Sequence, residues 1–485
     1  MTTAPDPHRW KALALLCVAS FMVILDASIV LVALPSMDAE LGFAAGDLQW
    51  VMSGYALSFG GLLLLGGRSA DLLGRRRMFL AGTALFGLAS LLCGFAWDGT
   101  ALIGARVLQG MSAAIMAPTA LSILMTMFAE GGERNKALGV WSAVGGLGGS
   151  AGVLVGGPIT SELGWEWIFF VNVPVAVALL ALSPVLLRES RARMARRSFD
   201  VMGAATVTTA LVLLVYAVVE APRAGWGATS TLVLIAASAG LFALFAVVES
   251  RAAAPLVPLR VLRSRTLVGG NFALTAVGIG AFGSGYIVTL YVQGVLGYSP
   301  LEYGLASSVV PIMATVGSVA GQSLVTRRGF RAVAVGGLGL MAAGCLLLTQ
   351  VSAGGTYLGD VFFGLLLFGP GLGAAFVAAS VATLAGVAEG DSGLASGLNN
   401  AAFQIGGALG VAILSTVALS EGGSPVDGYR AAFGAAAALL AVGAVGALVL
   451  GGPRRRAADS AASTTMQTAD PTHQMQMASS VNTST

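Results

Sequence analysis

Charge is scarce in this 485-residue chain: charged residues make up 10% of it, and lysine and histidine occur twice each. Hydrophobic residues make up 56% and the mean hydropathy is +0.84, which excludes a soluble globular protein. The cysteines, Cys17, Cys93 and Cys345, lie inside apolar stretches, so we expect free thiols and no disulfide framework. No metal-ligand cluster or phosphate-binding loop occurs, so nothing points to a metal, a cofactor, nucleic acid, ATP hydrolysis or enzymatic activity.

Long apolar runs are abundant instead, and a membrane-spanning helix needs about 20 such residues. Fourteen runs qualify, at 12–34, 49–67, 78–97, 101–128, 136–157, 167–187, 201–219, 229–248, 266–293, 304–325, 331–350, 357–387, 393–420 and 430–450. Of the 26 basic residues, Arg106 lies deep inside a run, Arg223 and Arg430 lie on one side of the membrane, and the other 23 lie on the opposite side. Because basic loops stay in the cytoplasm, we expect a multi-pass protein of the cytoplasmic membrane with both termini inside.

Fourteen spans fit an arrangement of six, two and six. Spans 1 and 9 both start inside, so six-helix halves at 1–187 and 266–452 would share one orientation, with a two-helix insertion at 188–265. Parallel halves of this kind are a known transporter plan, with the substrate site between them near mid-membrane. The polar tail at 453–485 is predicted to be disordered and cytoplasmic.

Two ionisable residues lie deep inside spans. Asp26 is near the middle of span 1, where a charged carboxylate costs about 2.5–3.5 kcal/mol, and Arg106 is the one intramembrane base. Both histidines lie in the tails, so Asp26 is the leading candidate to take and release a proton, and Arg106 is predicted to bias that step. A structural hydrogen bond or salt bridge is the alternative for each. The secondary candidates, near the outer ends of their spans, are Asp360 and Glu220.

Four motifs follow one another in the N-terminal half. They are Leu25-Asp26-Ala-Ser-Ile-Val-Leu-Val-Ala33-Leu34-Pro35 in span 1, Gly67-x-x-x-Asp71-x-x-Gly74-Arg75-Arg76 after span 2, Arg106-x-x-Gln109-Gly110 in span 4, and Gly139, Gly148, Gly152, Gly156 and Gly157 in span 5. Further matches are Trp165-x-Trp167 through Asn172-Val-Pro174, and Leu290-Tyr291-Val-Gln293 through Pro300. Together they resemble the major facilitator superfamily, specifically its branch of fourteen-span drug:proton antiporters, over nearly the whole chain.

The resemblance implies an all-α membrane protein with the major facilitator fold and fourteen transmembrane helices. It also implies that Asp26 and Arg106 couple protons, that the Gly67–Arg76 turn is a cytoplasmic conformational latch, and that the span 5 glycines mark antiport. Two positions depart from the pattern: Val153 stands where the family usually has Pro, and Glu166 where it usually has Arg. Val153 therefore keeps proton-coupled import open as an alternative to export.

Substrate contacts are predicted from polar and aromatic side chains on spans that should line the cavity. They are Tyr55, Gln109, Asn271, Tyr286, Tyr291, Gln293, Asn399, Asn400, Phe403 and Gln404. As a set they describe a mostly apolar pocket with few fixed polar groups, which suits lipophilic small molecules. For each residue alone, a role in packing or in an interhelical hydrogen bond is the alternative.

The sequence thus predicts a proton-coupled transporter that exports drug-like or antibiotic-like small molecules by alternating access. Its expected partners are the substrate, protons and membrane lipid, with no obligatory protein partner. A dedicated exporter of one endogenous metabolite or antibiotic is a close alternative. A non-transporting membrane receptor is a further alternative, but it would need neither Asp26 nor Arg106 inside the bilayer.

Overall fold

A computed structural model describes residues 8–44, 46–128, 132–189, 201–225, 227–252, 255, 263–385, 392–420 and 424–450. Within these ranges the chain forms long helices joined by short loops, and no β-strand. Long helices are what a bilayer imposes, because backbone N–H and C=O groups find no water partner in lipid. The predicted tail at 453–485 lies outside the described residues.

Fourteen helices follow one another in the described ranges, one at the position of each apolar run. They are α1 Arg9–Leu41, α2 Gln49–Leu73, α3 Arg75–Gly94, α4 Gly99–Met127, α5 Gly132–Leu163, α6 Trp167–Leu186, α7 Val201–Ala224, α8 Thr229–Arg251, α9 Arg265–Gly294, α10 Pro300–Arg328, α11 Phe330–Leu348, α12 Tyr357–Leu384, α13 Ser392–Ser420 and α14 Pro425–Leu450. Two contain π-helical segments, Ile279–Ser284 in α9 and Tyr357–Phe362 at the start of α12.

Eleven of these helices are long and apolar enough in their described parts to cross a membrane. The other three, α2, α5 and α7, have 25, 32 and 24 residues and stand at predicted spans 2, 5 and 7. The all-α membrane architecture is therefore confirmed. The number of fourteen crossings stays a prediction.

Helix pairing repeats along the chain with a shift of eight helices. In the first six helices the main pairs are α1 with α5, α2 with α4, α3 with α4, and α3 with α6; in the last six they are α9 with α13, α10 with α12, α11 with α12, and α11 with α14. Between these groups, α7 and α8 pack on each other, and α7 also contacts α2 and α13. This pattern is what two similarly built halves would produce. We call α1–α6 the N-terminal half and α9–α14 the C-terminal half.

The two halves meet mainly where α1 ends and α2 begins, which is the face predicted to be extracellular. There α2 packs against α13 and α5 packs against α10. One hydrophobic cluster combines buried residues of both halves, including Leu34 and Val292. A second cluster, around Phe79 and Leu124 and nearer the opposite face, draws its buried members from the N-terminal half. Among the described residues, the halves are thus joined more closely on the predicted extracellular side.

Candidate functional site: a buried carboxylate–guanidinium pair

The Asp26 carboxylate is buried inside the N-terminal half, where three side chains donate hydrogen bonds to it. Arg106 Nη1 donates to Oδ2 at 2.6 Å, while Gln109 Nε2 and Asn172 Nδ2 donate to Oδ1 at 2.8 and 2.7 Å. None of the four residues is more than 1% exposed. The carboxylate therefore joins α1 to α4 and α6.

The Arg106 guanidinium extends the site to α2. Its Nε donates to the Val51 carbonyl at 3.1 Å, and its Nη1 also donates to Gln109 Oε1 at 2.6 Å. The guanidinium carbon lies 4.2 Å from the centroid of the Tyr55 ring, which is within cation–π distance. Nη2 finds no hydrogen-bond partner among the described residues. One side chain thus contacts α1 and α2 from its position on α4.

Helical spacing in α4 aims these groups at their partners. Arg106, Gln109 and Gly110 are related as i, i+3 and i+4, so they share one face of the helix. A Cβ at position 110 would collide with Ser58 Oγ and with the Tyr55 carbonyl. Glycine at this position therefore lets α2 approach α4 and brings the Tyr55 ring under the guanidinium.

The pair carries no net charge while both groups are ionised. A single unpaired charge buried there would be costly, and removing one partner of a buried ion pair typically costs about 3–5 kcal/mol. A proton added to Asp26 would remove the countercharge of Arg106 and weaken the hydrogen bonds that converge on the carboxylate. Adding a proton to Asp26 would therefore alter contacts among α1, α2, α4 and α6.

Two members of the site were not assigned a role from the sequence. Asn172 holds the second carboxylate oxygen, and Ser90 Oγ in α3 accepts a hydrogen bond from Gln109 Nε2 at 2.9 Å. The signal for Asn172 was its place in the Trp165-x-Trp167 motif, as a polar residue in an otherwise apolar span. Ser90 carried no comparable signal, because serine is common in membrane helices as a packing residue.

The predicted latch turn is held by a carboxylate from another helix end. Glu189, which follows α6, accepts hydrogen bonds from the backbone N–H groups of Arg76 at 3.2 Å and Arg77 at 3.3 Å. Gly74 has φ +113°, and a Cβ there would lie 2.7 Å from Glu189 Oε1. Arg76 Nη1 also donates to the Leu187 carbonyl at 3.2 Å. The turn between α2 and α3 is thus tied to the end of α6.

The other predicted latch residues are Gly67, Arg75 and Asp71. Gly67 faces the Pro118 side chain, with an ideal Cβ 3.5 Å away, and Arg75 is half-buried at the start of α3. The Asp71 side chain lies outside what the structure describes. The latch role of all five residues stays a prediction.

The span 5 glycines divide between two neighbours. For Gly148 and Gly152, an ideal Cβ would lie 3.1 and 2.8 Å from the backbone carbonyls of Phe21 and Leu25 in α1. For Gly156 it would lie 2.9 Å from Ile29 Cγ1, also in α1. Gly157 instead faces α10 in the other half. The surroundings of Gly139 lie outside the described part of the chain.

Four of the predicted substrate contacts take part in specific interactions. Tyr55 and Gln109 belong to the Asp26–Arg106 site. Gln293 Nε2 donates to the Val32 carbonyl at 2.8 Å, which joins the two halves. Tyr291 Oη donates to the Ser352 carbonyl at 2.8 Å and to the carboxylate of Asp360 at 3.0 Å.

The remaining predicted contacts lie in the C-terminal half. Tyr286, Asn399 and Gln404 are buried, whereas Asn400 is exposed. Asn271 Nδ2 donates to a carbonyl of its own helix at 3.0 Å. Phe403 packs its ring against Phe282 and Phe376, with centroids 5.5 and 5.3 Å away. The structure does not gather all ten residues in one place, and each stays a prediction as a substrate contact.

The secondary proton candidates lie elsewhere. Asp360 accepts hydrogen bonds from the Ser352 backbone N–H and hydroxyl at 3.0 Å each, in addition to the bond from Tyr291, so it fixes the loop before α12. Glu220 is half-buried near the end of α7.

Comparison with known proteins places the chain in a family. The sequence profile of the Major Facilitator Superfamily matches residues 16–288 and 270–476. The chain is 40% identical to the puromycin resistance protein of Streptomyces alboniger over 486 residues, covering 96% of each chain. It is also 40% identical to the cephamycin export protein of Amycolatopsis lactamdurans over 433 residues, covering 88% of each. The chain therefore belongs to the Major Facilitator Superfamily.

Solved structures agree on the fold. A peptide transporter superposes with a TM-score of 0.67 at 18% identity, covering 91% of this chain and 95% of that one. At this identity the likeness concerns the fold alone. The expected major facilitator fold is thus confirmed.

Proposed function

We propose that this chain is a proton-coupled exporter of drug-like or antibiotic-like small molecules, with both termini in the cytoplasm. The observation that carries the proposal is the Asp26–Arg106 pair, which is 0% exposed and 2.6 Å apart inside a major facilitator chain. A buried ionisable pair is costly in a membrane and marks a functional pathway. The relatives named for puromycin resistance and cephamycin export favour export over import, despite Val153.

Transport would proceed by alternating access between two six-helix halves, at 1–187 and 266–452, of a fourteen-span protein. The insertion at 188–265 and the cytoplasmic tail at 453–485 belong to neither half. The contacts of α2 with α13 and of α5 with α10 support a state closed on the extracellular side. The Gly67–Arg76 turn, together with Glu189, would act as the latch on the cytoplasmic side, where charges at helix ends favour one conformation.

A dedicated exporter of one antibiotic is a second candidate, because both relatives carry the name of a single antibiotic class. The two candidates differ in breadth. Expression in a pump-deficient host, followed by a resistance panel with puromycin, a cephamycin and the lipophilic cation ethidium, separates them. Resistance to one compound supports the dedicated exporter, and resistance to several chemically unrelated compounds supports the general one.

The coupling step is tested with Asp26→Asn in inverted membrane vesicles energised with a proton gradient. Asparagine mimics the permanently protonated carboxyl, so proton-driven accumulation of the exported drug should fall to background while drug binding remains measurable. Asp98→Asn is the matched control: this acid caps α4 through a hydrogen bond from the Ala101 N–H at 2.7 Å, and asparagine caps equally well. Accumulation by Asp26→Asn at the wild-type rate would place the coupling site elsewhere.

A further inference from the structure

The first turns of α2 contact the Asp26–Arg106 pair on one side. The Val51 carbonyl accepts the hydrogen bond from Arg106 Nε at 3.1 Å, and the Tyr55 ring lies under the guanidinium at 4.2 Å. Residues 51 and 55 are one helical turn apart and therefore share a face. The position of the guanidinium is thus linked directly to the backbone at the start of α2.

The same turns contact the C-terminal half through a different face. Ser53 Oγ donates to the Ala408 carbonyl in α13 at 3.4 Å, and the Ser415 hydroxyl of α13 donates to Gln49 Oε1. Gln49 Nε2 is in turn held by the Gly46 carbonyl at 2.7 Å, in the loop before α2. Residues 49 and 53 are again one turn apart. We call these two inter-half hydrogen bonds the α2–α13 lock.

The hydrogen bonds of the α2–α13 lock can break and re-form with only a small change in free energy. Gln49, Ser53 and Ser415 are only 2%, 0% and 3% exposed, so in this state their polar groups depend on partners within the protein. If the halves part on this face, water reaches the same groups and satisfies them. Each buried hydrogen bond then shifts the balance between closed and open forms by about twofold to tenfold, not by many orders of magnitude.

We propose that α2 transmits the state of the Asp26–Arg106 pair to the extracellular gate, with Gln49 and Ser53 as the positioning residues that hold α13. Asp26 and the Val51 carbonyl hold the same guanidinium from two helices. A change in the charge of Asp26 alters the strength of its hydrogen bond with Arg106 Nη1. The guanidinium then shifts and moves the first turn of α2, which carries the lock. The inference rests on the proposed function, because it assigns the lock to the extracellular side of a proton-coupled cycle.

The test removes one hydroxyl at a time and measures the gate itself. Ser53→Ala and Ser415→Ala are made in a background without the native cysteines, with spin labels at Trp97→Cys and Leu358→Cys. These positions are 80% and 65% exposed and lie on the predicted extracellular face of the N-terminal and C-terminal halves. Ser58→Ala is the matched control, because among the described residues its hydroxyl bonds to carbonyls of α2 itself, at 2.8 and 3.1 Å. Pulsed electron–electron double resonance on the labelled protein in nanodiscs then reports the ratio of long to short distances between the two labels.

Both lock variants should raise the ratio of open to closed forms by about twofold to tenfold, and Ser58→Ala should leave it unchanged. The decisive measurement repeats the series with Asp26→Asn. If α2 transmits the state of the pair, the effect of Ser415→Ala should differ at least about threefold between the two backgrounds, beyond the additivity expected of independent sites.

Equal effects in both backgrounds, or an equal shift in Ser58→Ala, would overturn the proposal, as would an unshifted ratio in both lock variants. If one lock variant fails to fold, the other carries the test. The distances are measured without drug or proton gradient. A protein that exports nothing would therefore refute the proposed function, whereas an exporter with additive lock effects would refute only the role of α2.

Discussion

Replacing Gly157 with alanine should force apart the face of the bundle that is predicted to be extracellular. A Cβ at this position would lie 2.7 Å from the Pro300 carbonyl oxygen and 2.8 Å from Leu301 Cα, both in α10. These are backbone atoms of the other half, so no side chain can rotate away, and relief requires α5 and α10 to separate. Overpacking of this kind costs about 1–3 kcal/mol. Because 1.4 kcal/mol is tenfold, the closed form should lose about five-fold to 150-fold in population relative to the open form.

The assay is the Trp97–Leu358 distance described above, combined with thermal unfolding in detergent. Gly149→Ala is the control in the same helix, since its nearest neighbour, Ile24 Cγ2, would lie at 4.0 Å. Gly152→Ala provides the contrast, because its Cβ would lie 2.8 Å from the Leu25 carbonyl inside the N-terminal half. We expect Gly157→Ala to shift the distance with near-normal unfolding, and Gly152→Ala to lower the unfolding temperature instead.

The reasoning would be refuted by a Gly157→Ala protein that unfolds normally and keeps the wild-type distance distribution. An equal shift in Gly149→Ala would have the same consequence, because it would show that any added methyl group in α5 disturbs the gate. A lowered unfolding temperature in Gly157→Ala, with an unchanged distance, would mean that the closed form absorbs the strain without separation of α5 and α10.

Two further predictions concern topology and the latch. An impermeant thiol reagent on intact cells should label single cysteines placed at Ala44, Ala228 and Ser424, but not at Ser198 and Ser460; labelling at position 460 would contradict the even number of spans. Glu189→Gln should leave protein levels intact but slow transport several-fold, because the amide still reaches the N–H groups of Arg76 and Arg77 while the charge at the helix end is lost. Unchanged turnover in the vesicle assay would reduce Glu189 to a structural cap.

The existence of the charged site could be predicted from the sequence, but its full set of partners could not. Asp26 and Arg106 are conspicuous because ionisable groups inside apolar spans are costly and therefore rare. The hydrogen bond between Asn172 and Asp26 joins residues 146 positions apart, and it depends on how α6 packs on α1. No local pattern reports that packing.

The carboxylate that holds the predicted latch turn could not be identified from the sequence either. The motif drew attention to Asp71, which lies within the turn, whereas the described carboxylate at that turn is Glu189, 113 positions from Arg76. The end of α6 returns beside the start of α3 only in the folded bundle. The lock between Gln49 and Ser415 spans 366 positions, and single serine and glutamine residues in membrane helices carry no signal of such a partner.

The location of the charged pair constrains how coupling can work. Asp26, Arg106, Gln109 and Asn172 all belong to the N-terminal half, whereas most of the predicted substrate contacts lie in the C-terminal half. Any influence of a proton on a drug held there must therefore cross the interface between the halves. One charge moving through 100 mV is worth about 2.3 kcal/mol, so the proton can reverse only a small difference between the two states. Two buried hydrogen bonds, each contributing about 0.5–1.5 kcal/mol, together contribute about 1–3 kcal/mol, which is of the same size. A gate held at α2 by such bonds is thus weak enough for a single proton to move.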